Sequence, residues 1–155
     1  MHDRWMKMAF EEALKARKIG EVPIGSVIVR DNAVIGRGYN LVETRNDPTA
    51  HAEIIAIRDA ARQNQSWRLA GASIYVTIEP CPMCVGAIHL ARINQIVFGA
   101  NDIRFGACGS YVDLTKLQSM TSPFDVVSGV NAESASELLK EFFREVRAKN
   151  KIAGP

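Results

Sequence analysis

The sequence is poor in several features that mark specialised proteins. Its 155 residues include three cysteines, an odd number, which excludes a fully paired disulfide framework and indicates a reducing compartment. No stretch approaches the ~20 apolar residues needed to span a bilayer, and residues 1–5 lack the apolar core of a signal peptide. Low-complexity tracts and internal repeats are also missing. We therefore expect a cytoplasmic protein without a membrane anchor.

Charge and composition fit one globular unit. A net charge of +2 does not by itself indicate nucleic-acid binding, whereas a hydrophobic content of 47% can supply a substantial core. No linker divides the chain, so we predict a single domain over residues 1–155.

Hydrophobic periodicity predicts alternating helices and strands, with a hairpin turn at Asp31 and Asn32 and a further turn at Ser122 and Pro123. This alternation is typical of a layered α/β domain with helices on both faces of a sheet. The predicted order is a helix over 3–18, strands over 23–30 and 34–39, a helix after 51, a strand over 73–77, a helix after 81, strands over 95–99 and 124–127, and a helix over 132–149.

Cys81 and Cys84 stand at the predicted start of a helix, because Pro82 occupies a position where proline is favoured as the first helical residue. Cysteines three positions apart share one helix face, and a helix N-terminus favours the thiolate that binds metal. Taken alone, this spacing is also compatible with a redox pair or half of a structural zinc knuckle.

A second pair, His51 and Glu53, follows the helix-start cluster at residues 46–49. Residues two apart in a regular helix point about 200° from each other, so we place His51 at the first turn and Glu53 slightly deeper. With the cysteines, the pair predicts a catalytic zinc site ligated by His51, Cys81 and Cys84, because no fourth ligand has a suitable spacing. Iron remains an alternative metal.

Zinc with three protein ligands keeps a position for water and lowers the pKa of that water to about 7. Such a site suits hydrolytic attack on an amino-substituted ring carbon. Glu53 is predicted to move protons as the general acid and base, and is not counted as a ligand.

Other polar residues allow two interpretations. Asp102 and Arg104, in the glycine-rich stretch 100–110, are either substrate contacts or solvated loop charges. The last helix ends in a group of cations that suits either a helix C-terminus or RNA phosphates: Arg144, Arg147, Lys149 and Lys151.

Three reactive side chains are expected to be structural. We predict that His89 is a satisfied, partly buried histidine and that Cys108 is a small packed residue. Glu79 is expected to satisfy the start of the helix that follows Cys81.

Segments over nearly the whole chain match one known family: residues 22–25, Asn40, and residues 47–53, 77–84, 91–93, 98–100 and 139–143. Within them, H-x-E followed by P-C-x-x-C is the signature of zinc nucleobase deaminases. The sequence resembles the bacterial tRNA-specific adenosine deaminases (TadA type) of the cytidine/deoxycytidylate deaminase superfamily.

This resemblance implies a cytidine-deaminase-like, three-layer α/β/α sandwich with a mixed sheet of about five strands, assembled as a homodimer. It implies zinc-dependent hydrolytic deamination of adenosine to inosine at the wobble (first anticodon) position of tRNA, with the anticodon stem-loop as the partner. Bases of such a loop are already unpaired, so extruding one costs little. Asn40 would help hold the flipped base, and Asp102 falls on a substrate-contacting loop.

One departure from the family concerns residues 121–124, where its members usually carry an Asn-His-Arg-Val-like stretch. This change affects the expected RNA-facing surface but not the metal site. Two alternatives therefore stand beside tRNA deamination. The first is a deaminase of a free nucleobase or nucleoside of the guanine or cytosine type, and the second is a catalytically silent, zinc-stabilised RNA-binding module.

Overall fold

The computed structural model describes residues 1–117 and 124–153. The predicted order of helices and strands is confirmed, with one short helix added, while the turn predicted at Ser122 and Pro123 lies outside the described residues. None of the described helices is both long and apolar enough to cross a membrane. The elements are α1 (His2–Lys18), β1 (Gly25–Arg30), β2 (Ala33–Tyr39), α2 (Val42–Arg45), α3 (Ala52–Gln63), β3 (Ser73–Ile78), α4 (Pro82–Leu90), β4 (Gln95–Ala100), β5 (Asp125–Val127) and α5 (Ala132–Ala153).

The five strands form one mixed sheet in the order β2-β1-β3-β4-β5. β1 is antiparallel to β2 and β3, whereas β3, β4 and β5 run parallel. Gly25 at the start of β1 pairs with Tyr39 at the end of β2, and Ser26 pairs with Val76 near the end of β3. Consequently β1 begins at the sheet edge where β2, β3 and β4 end, which we call the C-terminal edge.

Alternating side chains bury both faces of the sheet. Val27 and Val29 pack with Trp5 of α1, whereas Ile28 packs against α3 and α4 on the opposite face. α5 packs on β3 and β4, and its Glu141 and Glu145 pair with Arg17 of α1. The predicted three-layer α/β/α sandwich is therefore confirmed. A single domain over residues 1–155 stays a prediction.

Glycines let α3 approach the sheet closely. A β-carbon on Gly36 or Gly38 of β2 would overlap the α3 backbone, near Ala56 and Ala52 respectively. The first turn of α3 is thereby fixed beside the C-terminal edge.

Candidate active site

Two helix starts meet at the C-terminal edge. His51 is the N-cap of α3 and has extended backbone angles, φ −72° and ψ 155°, so it stands one residue before the first helical turn, in which we predicted it. Cys81 is the N-cap of α4, Pro82 is its first residue, and Cys84 follows within the first turn. The positive end of each helix dipole therefore faces the same small region.

His51, Cys81 and Cys84 form a compact set of metal-binding atoms. The Nδ1 atom of His51 lies 3.5 Å from the Sγ atom of each cysteine, and the ligand atoms all lie within 4.8 Å of one another. Tetrahedral zinc with Zn–S of about 2.3 Å and Zn–N of about 2.0–2.1 Å would separate nitrogen and sulfur by about 3.6 Å. The three side chains therefore fit a zinc ion, although no fourth ligand completes a closed structural site among the described residues.

The two thiols influence each other strongly. Hydrogen bonds from the Cys84 thiol and from His51 lower the pKa of Cys81 to about 4, against the opposing effect of burial. The hydrogen bond that its thiol makes to Cys81, together with burial, in turn raises the pKa of Cys84. One thiolate therefore forms readily and the second requires a compensating charge, which a divalent cation provides.

Glu53 lies next to this trio, in the first turn of α3, with only 4% of its surface exposed. Burial raises the pKa of its carboxyl group to about 7. A carboxyl group that titrates near neutral pH can both accept and donate a proton, which is what general acid and base catalysis requires.

A cavity of about 270 Å³ opens over these residues. His51, Cys81 and Glu53 line it together with Asn40 and Asp102. Its volume is near the lower end of the ~300–1,000 Å³ typical of small-ligand sites and therefore suits a single base.

Comparison with known proteins agrees with this arrangement. The family profile described as MafB19-like deaminase matches residues 1–147. The chain belongs to this deaminase family. It is 46% identical to the tRNA-specific adenosine deaminase of Bacillus subtilis (strain 168) over 149 residues, covering 96% of this chain and 92% of that protein. It is also 46% identical to the tRNA-specific adenosine deaminase of Haemophilus influenzae (strain ATCC 51907 / DSM 11121 / KW20 / Rd) over 151 residues, covering 97% and 87% of the two chains.

A solved structure supports the same assignment. A chain from a study of A-to-I editing by tRNA:A34 deaminases at the wobble position of transfer RNA superposes with a TM-score of 0.84 and 43% identity. The match covers 88% of this chain and 99% of that one. The resemblance to tRNA-specific adenosine deaminases, stated from the sequence, is confirmed, and so is the expectation of an enzyme of the deaminase class.

Asn40 forms part of the cavity wall in this deaminase. Its Nδ2 atom donates a hydrogen bond of 3.3 Å to the carbonyl oxygen of Val22, and its Oδ1 atom accepts one of 3.2 Å from the amide of Val42. Both ends of the side-chain amide are therefore held by backbone. An asparagine amide has a second N–H, which leaves one donor for a bound molecule.

Asp102 and Arg104 occupy different positions. Asp102 lines the cavity, and its Oδ1 atom accepts hydrogen bonds from the amides of Arg104 (3.0 Å) and Phe105 (3.2 Å). The Arg104 side chain is exposed and lines a neighbouring groove instead. Both residues therefore line the neighbouring groove, but only Asp102 also lines the cavity.

The neighbouring groove has a volume of about 980 Å³ and runs between residues 100–105 and α5. It shares Ile78, Asp102 and Phe105 with the cavity, so the two adjoin. We call it the α5 groove. Its outer wall carries exposed Phe143 and three cations, Lys140, Arg144 and Arg147.

Glu79 has the structural role that we expected, but its predicted partner is wrong. Its carboxylate does not satisfy the start of α4, but accepts hydrogen bonds from the loop that follows β4, at Asp102, Cys108 and Ser110. Only tertiary structure brings these residues together, so local sequence carries no signal for the contact.

Phe105, at the cavity rim with 53% of its surface exposed, was also missed. An aromatic residue in a glycine-containing loop was the available signal.

His89 and Cys108 match their predicted structural roles. His89 is partly buried, with its ring 6.0 Å from that of Phe124 in an edge-on arrangement. Cys108 packs against the core, and burial raises the pKa of its thiol to about 12. Neither belongs to the cluster of potential metal ligands found among the described residues.

Proposed function

We propose that this deaminase converts adenosine to inosine at the wobble position of tRNA by zinc-dependent hydrolysis. The observation that carries the proposal is that the α5 groove adjoins the cavity and shares lining residues with it. The cavity accommodates one base, while the groove offers aromatic and cationic side chains to the nucleotides beside it. Proteins that bind single-stranded RNA combine a pocket for a base with aromatic side chains that stack on bases and cations that contact phosphates.

His51, Cys81 and Cys84 would hold zinc. When bound, zinc supplies Lewis acidity and makes water acidic enough to react near neutral pH. Glu53 would move two protons of the attacking water in turn through its carboxylate, the first to the ring nitrogen and the second to the amino group that leaves as ammonia, because it lines the cavity beside His51 and Cys81.

Asn40 and Asp102 would orient the base. The free N–H of Asn40 is a donor, while the Asp102 carboxylate, already held by two backbone amides, offers a fixed acceptor. Phe105 at the rim is suited to stack on a neighbouring base. Arg104, on the α5 groove, is better placed for the RNA backbone than for the reacting base.

The α5 groove supports an anticodon loop as the partner. Arg144 and Arg147 lie on it, and Lys149 and Lys151 are exposed further along the same helix. These cations would contact phosphates, which position the RNA, while the cavity selects the base. A tRNA substrate agrees with our expectation of a cytoplasmic protein.

The proposed assembly is a homodimer. Met83, Ala87 and Leu90 lie at helical spacing on the outer face of α4, and Leu90 is 68% exposed. This apolar outer face of α4 could be buried against a second copy of the chain. Multi-angle light scattering should give twice the chain mass, and Leu90→Glu should shift it toward the monomer.

The decisive experiment offers the zinc-loaded protein four substrates in parallel: an anticodon stem-loop with adenosine at the wobble position, free adenosine, cytidine and guanine. Mass spectrometry should detect inosine in the stem-loop only. Conversion of cytidine or guanine alone would instead establish the cytosine- or guanine-type alternative, and conversion of free adenosine alone would establish a nucleoside deaminase that does not need the RNA. No conversion by zinc-loaded protein that still binds the stem-loop would favour the silent RNA-binding module.

A further inference from the structure

Glu79 is a buried carboxylate whose hydrogen-bond partners all belong to one loop. It is 3% exposed and lies between β3 and Cys81. Its Oε1 atom accepts from the Asp102 amide (3.1 Å) and from the Ser110 hydroxyl, and its Oε2 atom accepts from the amides of Cys108 (3.0 Å) and Ser110 (3.2 Å). These four bonds occupy both oxygens.

No lysine or arginine among the described residues forms an ion pair with Glu79. An ionised carboxylate in such a position is stabilised by its hydrogen bonds, each stronger than a bond between neutral groups. Removing a partner would leave a buried charge incompletely solvated, which is costly. The loop backbone and the carboxylate therefore hold each other in place.

The loop is closely fitted around this side chain. A β-carbon on Gly106 would overlap the Glu79 carboxyl group. The Ala107 amide also donates a hydrogen bond of 2.8 Å to the carbonyl oxygen of Pro80, next to Glu79 in sequence. Residues 102–110 are thus tied to the segment that leads into Cys81.

The same loop forms a wall of the cavity through Asp102 and Phe105. We propose that Glu79 is a positioning residue, which sets this wall relative to the metal-binding segment and so determines how well the substrate base is held. The proposal rests on the proposed function, because it assigns Glu79 a role in binding the RNA substrate. Glu79 also lines the cavity, but both of its carboxylate oxygens are occupied by donors of the loop, so it acts through Asp102 and Phe105 and does not itself take part in the reaction.

Glu79→Gln tests the proposal with little change of shape. A glutamine has one acceptor oxygen and one NH₂ group, and its oxygen is best placed opposite the two amides of Cys108 and Ser110. Its NH₂ group then faces Asp102 and Ser110. The Ser110 hydroxyl can turn and accept, whereas the Asp102 amide cannot, so the Asp102 bond is the one lost.

Three measurements on zinc-loaded protein follow. Zinc content should equal that of the unchanged protein, amide hydrogen exchange at Asp102 should accelerate about tenfold or more, and KM for the stem-loop should rise about tenfold with kcat within about twofold. Gly106→Ala should also speed exchange at Asp102 and raise KM while keeping zinc, because its β-carbon would overlap both the Glu79 carboxyl group and the carbonyl oxygen of Asp102. Glu11→Gln, at an exposed position on α1, is the matched control and should change none of the three.

Unchanged exchange at Asp102 in Glu79→Gln and Gly106→Ala would overturn the proposal. Faster exchange with an unchanged KM would also overturn it, since the loop would then not govern substrate binding. Loss of zinc with normal exchange would show that Glu79 acts on α4 instead. If the unchanged protein does not deaminate the stem-loop, the proposed function is wrong, but the role of Glu79 can still be tested. KM is then measured for whichever substrate the protein does convert.

Discussion

A β-carbon on Gly38 would overlap the carbonyl oxygen of Ala52, so the first turn of α3 rests directly on β2. Ala52 stands between His51 and Glu53. Gly38→Ala should therefore push the start of α3 outward, lower the free energy of unfolding by about 1–3 kcal/mol and reduce deamination. Chemical denaturation and an activity assay check the two effects.

Gly36→Ala is the comparison for that variant, because its β-carbon would meet α3 one to two turns later, near Ala56 and Ala60. We expect a similar loss of stability with a smaller loss of activity. Equal activity losses would indicate that stability, and not displacement of the site, is responsible.

Glu53→Gln should keep zinc and lose about a hundredfold to ten-thousandfold in the rate of deamination, because the amide cannot carry the proton. Metal analysis and inosine formation measured on the same sample separate the two properties. Normal turnover would remove Glu53 from the mechanism.

Cys84→Ala should lose zinc, since two ligands hold the ion much less firmly than three. Chelation should lower Tm of the unchanged protein by about 5–10 °C and leave the Cys84→Ala variant nearly unaffected. Cys108→Ala is the matched control, because its thiol lies outside the cluster, and it should keep the metal. Equal zinc content in all three proteins would contradict the ligand assignment.

Arg144→Ala combined with Arg147→Ala should weaken stem-loop binding and make it less dependent on salt. Each lost contact with a single-stranded phosphate should reduce the slope of log K against log salt by about 0.7. Binding titrations from low to high salt give this slope. Lys7→Ala, at an exposed position on α1 away from the α5 groove, should leave it unchanged.

Features recorded in local sequence were predictable. The candidate ligand cluster could be predicted from two short motifs at helix starts, since Pro82 marks where α4 begins and the spacing of Cys81 and Cys84 places them on one face. The sandwich followed from alternating periodicities. In each case the deciding residues are neighbours in the chain.

Features held by distant residues were not predictable. The four-residue helix α2 is too short for a periodic pattern, and its second and third amides, of Glu43 and Thr44, donate hydrogen bonds to the buried carboxylate of Glu21. Glu79 was misjudged for the same reason, because its partners lie 23 to 31 positions away.

The placement of the candidate ligands has a further consequence for the chain as a polymer. His51 and Cys84 are 33 positions apart, with α3 and β3 lying between them. An ion held by both would cross-link the backbone and close a loop of that length, restricting the unfolded ensemble much as a disulfide does. The entropy thus removed from the unfolded chain would favour the folded state. The ion would therefore act as a reversible cross-link in a protein with no paired cysteines.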